Sequence, residues 1–158
     1  MRVRSAGKRV AIGGTFDPLH EGHKKLLEKA YELSGSDGRI VVGITSDDFA
    51  RKNRERVVLS FRARAENLRQ FMRKRFGVNV EIVELNDRYG TTLEEDFDFI
   101  VISPETYEVA VKINELRAKR GRKPIEIVCV PHVKAEDGKL ISSTRIKRGE
   151  IDKHGRLL

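Results

Sequence analysis

Four short runs of this 158-residue chain are apolar almost throughout: 9–13, 39–45, 97–102 and 125–130. A strand with one face in water alternates apolar and polar residues, whereas a strand covered on both faces does not. These runs therefore predict strands buried inside a parallel sheet. A fifth segment, 78–85, sets Val80 and Ile82 against Glu81 and Glu84, as an edge or half-exposed strand does. Helical stripes separate the strands. Leu26, Leu27, Ala30, Tyr31 and Leu33 mark a helix over about 20–33. Phe61, Ala65, Leu68, Met72 and Phe76 mark another over about 60–76, with Gly77 as its stop. A third begins with Ser103 as N-cap and Pro104 in the first turn, and Gly121 closes it. Residues 46–56 read as a polar loop, 86–96 as loop or short helix, and 141–149 as a loop entering a short helix. The tail 150–158 carries no clear pattern. Strands and helices in this alternation predict a doubly wound, Rossmann-like α/β fold with a five-stranded parallel sheet, and one domain over 1–158. In such sheets ligands bind at the carboxyl ends of the strands, at the switch point.

Composition narrows the function classes. Lys and Arg total 32 against 24 Asp and Glu, a formal charge of +8. That charge fits a nucleic-acid partner, an ion-paired surface or an anionic small substrate. The basic residues are spread along the chain and aromatics are 6%, which disfavours a nucleic-acid face. Cys129 is the single cysteine, so no intrachain disulfide or multi-cysteine zinc cluster forms. No apolar stretch reaches the roughly 18–20 residues that span a membrane. The basic start is followed by too short an apolar run for a signal peptide, so cytoplasmic location is expected.

The chemistry concentrates in two places. The first is Gly13-Gly-Thr-Phe-Asp-Pro-Leu-His-Glu-Gly-His23, where the first strand meets the first helix. It lacks the Gly-Lys-Ser/Thr of a Walker loop and the glycine spacing of a dinucleotide fingerprint. His20 and His23 are three apart, not the four of a zinc protease. Two imidazoles in a helix's first turn, behind the Gly14-Thr15 turn, form an anion site, most simply for phosphate. Free N–H groups of that turn are expected to contribute. Gly22 removes a side chain where a ligand can lie. His132 and His154 read as structural or solvated. The second place is Ser142, Ser143 and Thr144 before Arg145. One hydroxyl suffices to cap a helix; three followed by a guanidinium suit a phosphate.

Together, Thr15, the His20-x-Gly22-His23 unit and Ile141-Ser-Ser-Thr-Arg145 resemble the HxGH and ISSTxxR nucleotidyltransferase superfamily. With Val42-Gly-Ile-Thr-Ser-Asp47 and the stretch to Asp152, the chain is most similar to the archaeal phosphopantetheine adenylyltransferases. The resemblance implies this reaction: ATP + 4′-phosphopantetheine ⇌ dephospho-CoA + pyrophosphate, a step of coenzyme A biosynthesis. It implies Mg²⁺ carried mainly by the ATP phosphates, with no protein metal ligand assigned. It implies His20, His23 and Arg145 as catalytic groups. Gly14, Thr15, Phe16 and Gly22 would contact the nucleotide, Ser103 and Thr106 its base, and Ser142, Ser143, Thr144 and Arg145 its β- and γ-phosphates. Thr15, Asp17, Lys52, Asp87, Arg88 and Tyr89 are the expected acceptor contacts. For Lys52 a solvated cation beside Arg51 and Arg54 is an equal reading, and for Asp87 to Tyr89 a plain turn is.

One departure stands out. Bacterial members carry Arg-Gly-x-Arg after the fourth strand, and this chain has Ile102-Ser-Pro-Glu-Thr106. Phosphate anchoring then falls to Lys52, Arg88 or Arg145. Alternatives within the chemistry are adenylyl or cytidylyl transfer to nicotinamide mononucleotide, FMN or glycerol-3-phosphate. The alternative outside it is a basic nucleic-acid-binding protein, in which His20 and His23 would be dispensable. Neither a nucleic acid nor a membrane is an expected partner, and the sequence leaves the oligomeric state open.

Overall fold

A computed structural model of the chain describes residues 7–52 and 58–158. The elements in chain order are β1 (Arg9–Gly14), α1 (Glu21–Ser34), β2 (Arg39–Thr45), α2 (Asp47–Lys52), α3 (Phe61–Phe76), β3 (Glu81–Leu85), β4 (Phe99–Ile102), α4 (Tyr107–Lys119), β5 (Glu126–Cys129) and α5 (Ser143–Lys147). Among the described residues the five strands form one sheet, ordered β3-β2-β1-β4-β5 and parallel at every pairing. The doubly wound, Rossmann-like α/β expectation is met.

Side chains alternate across each strand, so the two faces of the sheet build two cores. Val10, Ile12, Val42 and Ile44 pack on one face against Leu27 and Ala30 of α1 and Leu68 and Met72 of α3. Ala11, Val41, Ile100 and Ile102 pack on the other against Ala110 and Ile113 of α4. Each fully buried Leu or Met contributes roughly 1.5–3 kcal/mol. Winding runs outward from β1 through β2 to β3, then reverses through β4 to β5. A crevice opens above β1 and β4, at their carboxyl ends. Gly14 leaves one of those ends and Ser103 the other.

The stretch expected as a loop after β2 instead contains α2. Ser46 Oγ accepts the Phe49 N–H at 3.1 Å, Asp47 and Asp48 fill the first turn, and Arg51 and Lys52 the last. A capping hydroxyl and dipole-matched charges suffice for six residues. The Ser103 N-cap is not formed. Residues Pro104–Thr106 make a 3₁₀ turn, and the Ser103 hydroxyl donates to Glu105 Oε1 at 3.4 Å. The patternless tail folds back over α5. Ile151 is fully buried beside Ala135 and Ile141, forming a small third core. Among the described residues no helix is long and apolar enough to cross a membrane.

Candidate active site

Two cavities open at the crevice. One, of about 190 Å³, is polar and lies between the α1 start and the α5 start. His20, Gly22, His23 and the hydroxyl run 142–144 line it. The other, of about 290 Å³, is largely apolar and lies over the sheet between α4 and the turn after β3. Val83, Leu85, Tyr89, Phe97, Val109 and Ile113 line much of it, with Gly14, Arg88 and Thr106 also at its wall. Thr15, His23, Leu26, Ser103 and Glu105 line both. The cavities therefore adjoin along one wall.

His20 is not simply the first residue of a helix but its N-cap, and it is buried. Its Nδ1 accepts the N–H of Gly22 at 3.0 Å and of His23 at 3.3 Å. His23 Nδ1 in turn accepts the His20 N–H at 3.4 Å, a capping box built from two imidazoles. A backbone N–H can only donate, so neither Nδ1 carries a proton. The ring proton of each lies on Nε2. The rings stack, with centroids 3.8 Å apart. This geometry corrects the expectation that free N–H groups of the turn meet an anion. Gly22 and His23 N–H are capped, Glu21 N–H donates to the Lys153 carbonyl, and Lys24 N–H to that of His20. Gly22 is explained within the chain as well: a Cβ there would lie 2.8 Å from His20 Cε1, displacing the capping ring.

The loop between Gly14 and His20 is held from below. Phe16 is buried at φ +56°, a backbone region sparse for a non-glycine residue, and its ring tilts against His23 with centroids 5.1 Å apart. Thr15 Oγ1 accepts a hydrogen bond from Thr45 Oγ1 at 3.1 Å. Asp17, 3% exposed, is not at a cavity wall. Its Oδ2 accepts the Leu59 N–H at 2.6 Å and faces Lys147 Nζ at 3.7 Å.

At the second motif, Ser142 is the cap, accepting the Arg145 N–H at 3.2 Å. Ser143 Oγ donates to the Pro18 carbonyl at 3.5 Å, joining the two motifs. Arg145 is turned away from the polar cavity. Its guanidinium pairs with Asp137, donates to the Leu140 carbonyl at 3.0 Å and meets Glu150 at 3.5 Å. The hydrogen bond from Arg145 holds the Asp137 carboxyl below its ordinary range, and the same bond raises the arginine. The last position of the ISSTxxR pattern is Lys147, which sequence reading passed over. The signal was available: Lys147 follows Ser143 by four residues, on the same helix face.

The remaining expected contacts divide. Arg88 and Tyr89 reach the apolar cavity. Asp87 is spent on its own turn, accepting the N–H of Tyr89 and Gly90 at 2.8 and 2.9 Å. Lys52 ends α2, exposed, and lines neither cavity; Arg54 lies outside the described residues. His132 lines the polar cavity with His20 and His23, where sequence reading set it aside. Nothing local marks it, because its neighbours arrive from the other end of the chain. His154 instead braces the tail, with Nδ1 2.9 Å from Glu21 Oε1. Burial pushes the Glu21 carboxyl up, but contacts with His154 and Lys24 outweigh it and lower it overall.

The cytidylyltransferase-like family model matches residues 11–149. The chain is 53% identical over 150 residues to a phosphopantetheine adenylyltransferase of Archaeoglobus fulgidus, a match covering 95% of this chain and 99% of that one. It is 53% identical over 152 residues to the phosphopantetheine adenylyltransferase of Methanosarcina mazei, covering 94% and 96%. A crystal structure described as a protein with unknown function from A. fulgidus superposes with a TM-score of 0.72 at 49% identity, covering 77% of this chain and 88% of that one.

Proposed function

Because the chain belongs to the cytidylyltransferase-like family, beside its archaeal phosphopantetheine adenylyltransferases, we propose that it transfers the adenylyl group of ATP to 4′-phosphopantetheine. The products are dephospho-CoA and pyrophosphate. The observation that carries this reading is the pair of adjoining cavities, one polar and one apolar, with Thr15 and His23 in their shared wall. A polyphosphate suits the first and a pantetheine arm the second, and their phosphates then meet at the junction.

A phosphate oxygen of the acceptor attacks the α-phosphorus of ATP in line. The new P–O bond forms as the bond to the bridging oxygen breaks and pyrophosphate leaves. The attacking oxygen is already anionic, so no general base is needed. Rate then comes from positioning and from neutralising charge on the phosphoryl groups. His20 and His23 offer Nε2–H donors to the triphosphate, and Ser142 and Thr144 offer hydroxyls toward its far end, while the Ser143 hydroxyl is spent on the Pro18 carbonyl. Lys147, which closes the ISSTxxR pattern and rests beside Asp17, is the cation assigned to that end in place of Arg145. Ser103 and Thr106 lie toward the base, Arg88 and Tyr89 toward the acceptor. Asp17 acts indirectly, by holding Lys147. Mg²⁺ would ride on the nucleotide, held mainly by its phosphates and water. Bound there, it would neutralise phosphate charge.

The test is pyrophosphate release with ATP or CTP against phosphopantetheine, nicotinamide mononucleotide, FMN and glycerol-3-phosphate. Turnover is expected with ATP and phosphopantetheine. Activity confined to another acceptor would overturn the assignment.

A further inference from the structure

The polar cavity is assigned a triphosphate, yet among the described residues no lysine or arginine forms its wall. The carboxylate in that wall, Glu105, has the sign that opposes a polyanion. Lys147 rests beside Asp17 and Arg145 is paired with Asp137, and neither lines the cavity. Phosphate is held most strongly by charge-assisted donors. The lining groups that can become cations are three imidazoles, those of His20, His23 and His132.

Two of the three are committed to the neutral form. Nδ1 of His20 accepts the N–H groups of Gly22 and His23, and Nδ1 of His23 accepts that of His20. A proton on either Nδ1 would set donor against donor and break the capping box that starts α1.

His132 is placed differently. It follows Pro131 just beyond β5 and is half-buried. Its backbone is pinned on both sides: the Val130 N–H donates to the Ile102 carbonyl at 2.8 Å, and the Val133 carbonyl accepts the Ile141 N–H at 2.9 Å. Its ring is not pinned. Among the described residues no hydrogen bond or ion pair engages either ring nitrogen, and neither is sealed from solvent. Both can therefore carry a proton without breaking a bond of the fold. The titratable groups that share its wall are Glu105, from the turn after β4, and the two capped imidazoles of α1; the start of α5 brings hydroxyls. On its own segment the next charge is Lys134, which does not line the cavity. No fixed cation of that wall opposes a proton on His132.

We infer that His132 is the cationic contact of the polar cavity: it takes up a proton from solvent as a nucleotide polyphosphate binds, and holds the phosphates as an imidazolium. The inference rests on the reading that places the triphosphate in that cavity. No covalent bond of protein or nucleotide changes in this step. By linkage, a site that gains a proton on binding loses affinity as the pH rises.

The test counts protons. Binding of MgATP to the full chain is measured by calorimetry at about pH 7.5, above the ordinary range of histidine, in buffers of different ionisation enthalpy. Wild type should take up about 0.4 of a proton per nucleotide, and its affinity should fall between about pH 6.5 and 8.5. His132→Gln should take up less than about 0.1, bind roughly tenfold more weakly and lose that pH dependence. Its melting temperature should stay within about 2 °C of wild type, because the ring bonds nothing in the fold. His132→Lys, a fixed charge at the same place, should bind within about threefold of wild type with uptake still below about 0.1. Wild-type binding without proton uptake, or uptake that persists in His132→Gln, would overturn the inference while leaving the reaction assignment intact. A wild-type protein that neither binds MgATP nor releases pyrophosphate from it with phosphopantetheine would overturn both.

Discussion

The two motifs of the site are built in opposite ways. The first, from Gly14 to His23, is buried and cross-braced. Thr15, Phe16, Asp17 and His20 are each at most 6% exposed, and the loop rests on the Arg64 and Thr45 side chains below it. The second, from Ser142 to Lys147, is a five-residue helix, half-exposed and packed on a small separate core. A helix that short is not stable alone. The tail holds it through Ile151, Arg145 and Asp137 secure the turn before it, and Ser143 and Lys147 tie it to the first motif. The contrast teaches a division of labour. Under the proposed reaction, the donors assigned to the reacting phosphorus sit on the rigid side, and the groups assigned to the leaving polyphosphate sit on the side with less packing to break when product departs.

The sharpest way to break this comparison is at the histidines. His23→Ala should lower kcat on the order of 10²-fold, as loss of a charge-stabilising donor does. His20→Asn keeps a capping side chain while removing Nε2–H, so kcat should fall with little change in melting temperature. Pyrophosphate release and thermal unfolding, measured on both variants, separate the two roles. A near-normal rate would remove the rigid motif from the chemistry.

The next effect is at the second motif. Lys147→Ala should cost roughly tenfold or more in kcat/KM for ATP, the scale of one charge-assisted phosphate contact. Arg145→Ala should instead lower the melting temperature and spare kcat. The reverse pattern would restore Arg145 to the phosphates.

The smallest effect concerns pH. Arg145 holds the folded-state value of Asp137 below the ordinary 3.8. A carboxylate lowered on folding stabilises the fold above its unfolded value and loses that contribution as pH falls through its folded one. Asp137→Asn should therefore melt below wild type near neutrality, with the gap closing as the pH is taken below about 3.8. A gap independent of pH would mean the pair contributes by packing alone.

Charge tells a related story. Several of the basic residues behind the +8 of the chain are tied up within the fold. Arg9, Arg64, Arg117 and Arg145 are each paired with a carboxylate of the fold. Arg117 is as buried as Arg64 and braces the turn after β3, donating to the Thr92 and Glu95 carbonyls at 2.6 and 2.7 Å. That turn carries Arg88 and Tyr89 to the apolar cavity.

Strand and helix order was legible in the chain because periodicity and caps are local: Val10 to Ile12 and Ile40 to Ile44 declare a doubly covered sheet without reference to anything distant. Both motifs were legible too, since unusual residue types crowd a few adjacent positions. What could not be read is which way those residues turn. Arg145 and Lys147 are two positions apart, and about 200° of helix rotation separates them, so packing around α5 decides which one pairs with Asp137 and which one faces Asp17. His20 is a histidine in any reading, but only the folded turn spends its Nδ1 on the backbone and leaves the proton on Nε2. Arg64 looks like any surface arginine of a basic helix. Its bonds to Thr15 and Thr45 exist only because β2 and the β1 loop arrive beside α3, and contacts between distant segments have no local signature.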